Sequence, residues 1–263
     1  MATPDTALRL SIDAGVATLT LARPEALNAF NQALRTQLRE AFDTLEADPS
    51  VRVLLLKGEG RAFCAGADLK EAITTPAPEG AAVQLQRQYN RLIRQLRELP
   101  FPVVAGVNGI AAGAGFSLAL ACDVVLAAES ASFAQVFSKI GLVPDLGSSF
   151  FLPRTVGRQR AMALMLSGEP IDAATALQWG IALKVLPDAG FAEACTAYAR
   201  TLVNRPTGSL AQLRRLLDLS GELSLGAQME MEAAMQGWLG KSTDAAEAID
   251  AFVAKRTPAF KGR

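Results

Sequence analysis

Apolar and polar positions change rhythm several times along the chain, and each change predicts an element. Leu8 to Ile12 and Val16 to Leu21 alternate around Asp13-Ala14-Gly15, which predicts a β-hairpin with a short glycine-containing turn. Phe30, Leu34, Leu38, Phe42 and Leu45 keep helical spacing, and Asp48-Pro49 ends that helix. Val51 to Lys57 is an apolar run read as a buried strand. Leu85, Tyr89, Leu92, Ile93 and Leu96 mark an amphipathic helix that stops before Pro100. Val103 to Val107 predicts a second buried strand, Val124 to Ala127 a third, and Ser132 to Gln135 a shorter one. Arg158 to Leu166 reads as a helix. Asp172 reads as the N-cap of another that ends at Gly180, and Ile181 to Leu186 is the last strand. From Phe191 onward the period is helical, with breaks at Pro206-Thr-Gly208, Gly221 and Gly240-Lys-Ser242. Strands alternating with helices predict a layered α/β core, residues 1–200, followed by a helical region, 201–263.

Two of these strands run into glycine-rich segments: Gly58, Gly60 and Gly66 in one, Gly109, Gly113 and Gly115 in the other. Each is read as a strand turning directly into a helix, the first of which begins near Asp68. Such glycines either let a helix pack closely on a strand or expose backbone N–H groups at a helix start, where an oxyanion or a phosphate is favoured. Asp68 is itself explained by N-capping. Thr74-Thr-Pro-Ala-Pro-Glu-Gly80 is a loop of the kind that covers a site.

Composition narrows the chemistry. Lys plus Arg and Asp plus Glu number 26 each in 263 residues, so no overall field draws nucleic acid or an acidic membrane, and an anionic ligand must be held locally. Histidine is absent, which removes Ser-His-Asp and Cys-His catalysis, imidazole zinc sites and a histidine base. Proton transfer therefore falls to carboxylates. Cys64, Cys122 and Cys195 lack metal-ligand spacing and read as buried thiols. Met1-Ala-Thr-Pro-Asp-Thr is unlike a signal peptide, and no apolar run is long enough to span a membrane, so the expectation is a cytoplasmic protein.

Arg61-Ala-Phe-Cys-Ala-Gly-Ala-Asp-Leu-Lys-Glu71, Val107-Asn-Gly-Ile-Ala-Ala-Gly-Ala-Gly115, Lys139-Ile-Gly-Leu-Val-Pro-Asp145 and Ala251-Phe-Val-Ala-Lys-Arg-Thr-Pro-Ala-Phe-Lys261 together resemble the crotonase (enoyl-CoA hydratase/isomerase) superfamily, in the right order and over nearly the whole chain. The resemblance implies a spiral of ββα units with a C-terminal helical trimerisation region, in trimers or dimers of trimers. It implies an oxyanion hole made by the N–H groups of Ala67 and Ala114, worth roughly 3–4 kcal/mol per donor. Coenzyme A enters as part of the substrate, with no separate cofactor or metal. Its contacts fall on Ala65, Asp68, Leu69 and Lys70, with Phe252 and Lys255 contributed by a neighbouring copy. The alternative for each lysine is a solvated surface charge.

For the reaction, the resemblance is informative where it fails. The two glutamates with which hydratases of the superfamily activate water align with Ser117 and Phe137, and neither is a base. Asp145 instead resembles the aspartate of a subgroup, the 1,2-epoxyphenylacetyl-CoA isomerases, which also shift enoyl-CoA double bonds. In that reading Asp145 carries a proton between two carbons of an enolate held by Ala67 and Ala114, while Phe137 keeps water out and raises the pKa of the carboxyl. The bland alternative is that Asp145 caps the Pro144-Asp-Leu-Gly147 turn. Phe116, Phe150 and Phe151 suit either an aromatic acyl group or packing. The rival functions are a weak hydratase and a CoA- or RNA-binding protein without catalysis, the RNA version lacking a basic face.

Overall fold

The computed structural model describes residues 6–75 and 78–262; Met1–Asp5 of the N-terminal segment and Pro76-Ala77 of the 74–80 loop lie outside the described residues. Ten strands are described: β1 (Leu8–Asp13), β2 (Val16–Leu21), β3 (Val53–Gly58), β4 (Ala62–Cys64), β5 (Val103–Val107), β6 (Ile110–Ala112), β7 (Val124–Ala128), β8 (Ser132–Ala134), β9 (Ile171–Asp172) and β10 (Lys184–Leu186). They form a six-stranded sheet in the order β1-β2-β3-β5-β7-β10 and a four-stranded sheet in the order β4-β6-β8-β9.

The repeat unit is visible in that order. A long strand in the first sheet (β3, β5, β7) is followed within a few residues by a short one in the second sheet (β4, β6, β8), and then by a helix or helical turn. Successive long strands pair in parallel, as do β4 with β6 and β6 with β8, so each unit stacks on the last and the chain advances as a spiral of ββα units. Only the hairpin β1/β2 and the pair β8/β9 are antiparallel. The reading of β3 and β5 as buried strands has its cause here: both are central in the sheet, and all of β5 is buried.

β4 and β6 correct the expectation that the glycine segments pass straight from strand to helix. Three small residues are too few to show an alternating pattern, and close packing rather than alternation holds them. A Cβ on Gly115, in the helix Ala114–Leu120, would lie 2.0 Å from the Cys64 carbonyl oxygen, so only glycine lets that helix rest on β4. The helix Ser148–Val156 also escapes the sequence reading, because Pro153 interrupts a short pattern. The last strand shortens to Lys184–Leu186, since the Ile181 and Ala182 N–H groups turn back to the Ala176 carbonyl.

Elsewhere pattern and structure agree. The helix Gln32–Ala47 buries Leu34, Leu38, Phe42 and Leu45, each worth roughly 1.5–3 kcal/mol of transfer energy. Its Asn31 side chain caps it by accepting from the Leu34 N–H. The helix Phe191–Val203 packs on the first sheet, where the Cys195 sulfur sits over Gly106 of β5. Helices Thr207–Leu219, Leu225–Leu239 and Thr243–Val253 follow at the expected breaks. Arg214 fastens the first of them to the core: it donates to the carbonyls of Arg97, Leu99 and Phe101 and pairs with Asp123 at 2.8 Å. No described helix is long and apolar enough to cross a membrane. Cys64, Cys122 and Cys195 are free and buried, and burial pushes the Cys64 and Cys195 thiols up to about 12.

Candidate active site

The two glycine segments end side by side. Gly66, at φ 101°, brings its Cα face to 3.4 Å from the Ala114 nitrogen, measured from where a Cβ would stand. Among the described residues, neither the Ala67 nor the Ala114 N–H has an acceptor, although their neighbours do. Phe30 N–H donates to the Gly66 carbonyl at 2.7 Å and Asp68 N–H to the Phe30 carbonyl at 3.0 Å, so a parallel bridge clamps the loop and leaves Ala67 N–H unspent between them. Gly113 N–H donates to Ala134 at 2.9 Å, which fixes the backbone just before Ala114. Two adjacent, held and unpartnered donors can bind one oxygen that gains negative charge.

Two asparagines hold the first segment in shape. Fully buried Asn28 donates to the carbonyls of Glu59 and Ala62 at 2.9 and 2.8 Å. Asn108 accepts from Gly58 N–H at 3.0 Å and donates to the Gly60 carbonyl. Asp68 is the N-cap of the helix Leu69–Thr74, accepting from Glu71 N–H, and its other oxygen pairs with Arg23 at 3.0 Å. The cap and Arg23 hold its carboxyl below the ordinary range against the opposing effect of burial, which is the largest single influence.

Asp145 stands in the turn before the helix Ser148–Val156, and the capping role does not fall to its side chain. Only its backbone carbonyl accepts from Ser148 N–H; the helix has no side-chain cap, and Oδ1 is enclosed without a partner. Burial pushes this carboxyl up from 3.8 to about 6. Leu146 beside it is held at φ 50° with its side chain buried, a costly conformation for a non-glycine residue that aims the turn. Ser117 is fully buried and its hydroxyl donates to the Gly113 carbonyl at 3.1 Å. The Phe137 ring comes within 3.7 Å of where a Cβ on Gly113 would stand, so an apolar edge adjoins the Ala114 donor. Neither position holds a base.

The structure also brings in residues that periodicity assigned to the core or passed over. Tyr89 ends a segment, Leu85–Tyr89, in which the helix over 81–98 widens so that Asn90 N–H reaches back five residues to Leu85. The Tyr89 ring meets Phe30 edge-on at 5.9 Å. Its hydroxyl accepts from Arg35 at 2.9 Å; Arg35 also reaches Glu71 at 3.2 Å, Gln88 at 3.0 Å and the Phe30 carbonyl at 3.2 Å. Burial raises the Tyr89 pKa, Arg35 lowers it, and the nearby Asp145 carboxylate raises it further. The available signals were an arginine on the buried face of Gln32–Ala47 and one polar tip on an aliphatic helix face.

The remaining expected contacts separate into two groups. Ala65, Leu69 and Lys70 share the Ala67 segment, with Leu69 and Lys70 exposed on the first turn of Leu69–Thr74. Phe252, 85% exposed, and Lys255 lie at and beyond the end of Thr243–Val253, and no contact joins them to the donors within the chain among the described residues. Phe116 belongs to the core, stacked at a tilt on Phe133 at 5.2 Å. Phe150 lies under Arg154 at 3.6 Å, and Phe151 meets it edge-on at 5.3 Å, so the packing explanation accounts for all three.

A spiral of ββα units with parallel strand pairing is the crotonase class of fold. The enoyl-CoA hydratase/isomerase family model matches residues 11–263, and the chain belongs to that family of enzymes. It is 44% identical to the 1,2-epoxyphenylacetyl-CoA isomerase of Escherichia coli, over 96% of this chain and 97% of that protein. It is 38% identical to the 2,3-dehydroadipyl-CoA hydratase of the same organism, over 93% and 94%. The crystal structure of an enoyl-CoA hydratase from Bacillus anthracis superposes with a TM-score of 0.92 at 29% identity, covering 98% of this chain and all of the other.

Proposed function

We propose that the protein is an acyl-CoA isomerase that shifts a double bond, or rearranges an epoxide, in an enoyl- or 1,2-epoxyphenylacetyl-CoA thioester. The observation that carries this reading is Asp145: an enclosed carboxyl with a pKa near 6 and an unpartnered oxygen, in a site where Ser117 and Phe137 supply no second base. The Ala67 and Ala114 N–H groups hold the thioester oxygen as it becomes enolate-like. With a 3-enoyl thioester, Asp145 takes a proton from the α carbon and returns it to the γ carbon of the delocalised intermediate, so one group serves as base and then as acid. A carboxylate with one oxygen unpartnered and partly desolvated is a stronger base, and Phe137 keeps water from the intermediate. The 44% identity to an epoxyphenylacetyl-CoA isomerase supports the reading. Coenzyme A belongs to the substrate: Ala65, Asp68, Leu69 and Lys70 flank the donor loop, Ala65 and Lys70 serving its adenine and phosphates. Phe252 and Lys255 would reach it from a neighbouring copy, through a trimer built on the region 201–263, whose helices expose Leu217, Leu225 and Trp238.

The test is product analysis with wild type and Asp145→Ala, given a 3-enoyl-CoA and, separately, crotonyl-CoA. Wild type converts the 3-enoyl to the 2-enoyl thioester, with a rate that rises with pH through about 6 as Asp145 ionises. Asp145→Ala loses about 10²–10⁴-fold. Rapid hydration of crotonyl-CoA that survives Asp145→Ala would overturn the assignment in favour of a hydratase.

A further inference from the structure

One buried polar pair next to the site has no part in the isomerisation proposed above. Gln135 and Ser148 are both 0% exposed, and Gln135 Nε2 donates to Ser148 Oγ at 2.6 Å. Gln135 Oε1 is enclosed without a partner. Turning the amide over would let Oε1 accept the serine proton and would strand Nε2 instead, so one amide atom is unsatisfied in either arrangement. A pair that buries two polar groups and satisfies them incompletely gains little stability over an apolar contact. Its effect lies in what it joins.

The pair closes the segment 136–147, which carries both Phe137 and Asp145. Gln135 directly follows β8, and Ser148, 13 residues on, opens the helix Ser148–Val156. Residues 138–143 between them are exposed, and the Lys139–Glu169 pair there, at 2.9 Å, is a surface contact that restrains little. At the Gln135 end the chain is fixed against the Ala114 donor segment. The Ala134 carbonyl accepts from Gly113 N–H at 2.9 Å, and the Val136 side chain lies 3.4 Å from where a Cβ on Gly113 would stand. At the other end, Ser148 N–H donates to the Asp145 carbonyl at 3.0 Å. Leu146 and Gly147, in between, are held at φ 50° and 79°, a conformation that for leucine persists only where the surroundings enforce it. One side-chain hydrogen bond therefore connects the strand end that sets the Ala114 N–H to the turn that sets Asp145.

We propose that Gln135 is a positioning residue: by holding Ser148 it fixes the Asp145 turn at a set distance from the Ala114 donor, so that the carboxyl meets the reacting carbon while the thioester oxygen is bound. Misplacing a reacting group by a fraction of its contact distance slows the chemical step without weakening substrate binding. Gln135 acts through Ser148, and no bond to it is made or broken in the reaction. This inference rests on the isomerase reading and deepens it by naming what sets the separation of its base and its oxyanion donor.

The experiment measures conversion of a 3-enoyl-CoA to the 2-enoyl thioester by wild type, Gln135→Met, Ser148→Ala and the double variant. Each single variant loses about tenfold or more in kcat with KM within about twofold, since the backbone donors still grip the thioester. The double variant is no slower than the slower single, because both changes break one link. The acid limb of kcat, near pH 6 in wild type, moves to lower pH as the loosened turn admits water to Asp145. Unchanged kcat in Ser148→Ala, losses that multiply in the double variant, or lowered stability with the acid limb in place refutes the proposal and leaves the pair a packing contact. Should Gln135→Met unfold, Ser148→Ala alone carries the test by the same kcat and acid-limb criteria. Failure of the isomerase reading shows separately, as wild type whose isomerisation is absent or survives Asp145→Ala.

Discussion

Replacing Asp145 by Asn should make the protein more stable while removing its activity, and the gain should depend on pH. The half-buried carboxyl is displaced from 3.8 to about 6 by loss of water around its charged form. Below 3.8 the group is neutral in both folded and unfolded chains, and burial costs nothing extra. Above 6 it is charged in both, and the folded state carries the whole penalty. At roughly 1.4 kcal/mol per tenfold change in acidity that penalty is about 3 kcal/mol at pH 8, and about 1 kcal/mol at pH 4.5, where mainly the unfolded chain is ionised. Asn has the same shape and no charge, so Asp145→Asn should gain on the order of these amounts. Denaturant unfolding of both proteins at pH 4.5 and 8, at one fixed protein concentration, measures the difference. In thermal unfolding the pH 8 gap corresponds to roughly 6–12 °C for a chain of this size. A gap that is absent, or the same at both pH values, would refute desolvation as the cause of the raised pKa. It would also weaken the case that this carboxyl is tuned for proton transfer.

Two further perturbations test the frame around the site. Gly115→Ala pushes a Cβ against the Cys64 backbone, and should cost about 1–3 kcal/mol in denaturant unfolding. Because Cys64 precedes Ala67 by three residues, kcat should fall by more than the stability loss accounts for; an unchanged kcat would show that the donor spacing is not set by this contact. Arg214→Ala strips three carbonyls and Asp123 of a buried cation. It should lower stability by about 3–5 kcal/mol, read from the urea midpoint, and a loss under about 1 kcal/mol would mean that water replaces the guanidinium at no cost.

Long elements are legible in the sequence because one physical rule decides them. The hairpin Leu8–Leu21, the helix Gln32–Ala47 and the C-terminal helices each bury one face, and the spacing of apolar residues records which. The second sheet is not legible in that way. β4 and β6 are three residues each and owe their place to carbonyl-to-Cα packing at Gly109 and Gly115, which leaves no alternation to read. Asp68 shows the opposite case, since the capping pattern was plain but the Arg23 partner 45 residues away was not. The site divides along the same line. Asp145 stands out as a carboxyl in a turn, whereas the helical spacing that places Tyr89 in the core says nothing of the Arg35 guanidinium that holds its hydroxyl.

Backbone donors have a consequence for how this fold varies its chemistry. Under the reading proposed above, the thioester oxygen is held by N–H groups whose positions depend on Gly66, Gly113 and the Phe30 bridge, not on the methyl groups of Ala67 and Ala114. Substitutions among the surrounding side chains therefore leave that grip intact. The side chains that bear on where a proton goes come from separate elements: Ser117 from the helix Ala114–Leu120, Phe137 from the turn Val136–Ile140 and Asp145 from the turn before Ser148–Val156. Among the described residues no hydrogen bond links these side chains to one another. An isomerase at 44% identity and a hydratase at 38% can then share the whole architecture with this chain. Overall identity cannot choose between those reactions; under the proposed reading the choice resides in a few side chains, and Asp145 is the carboxyl among them.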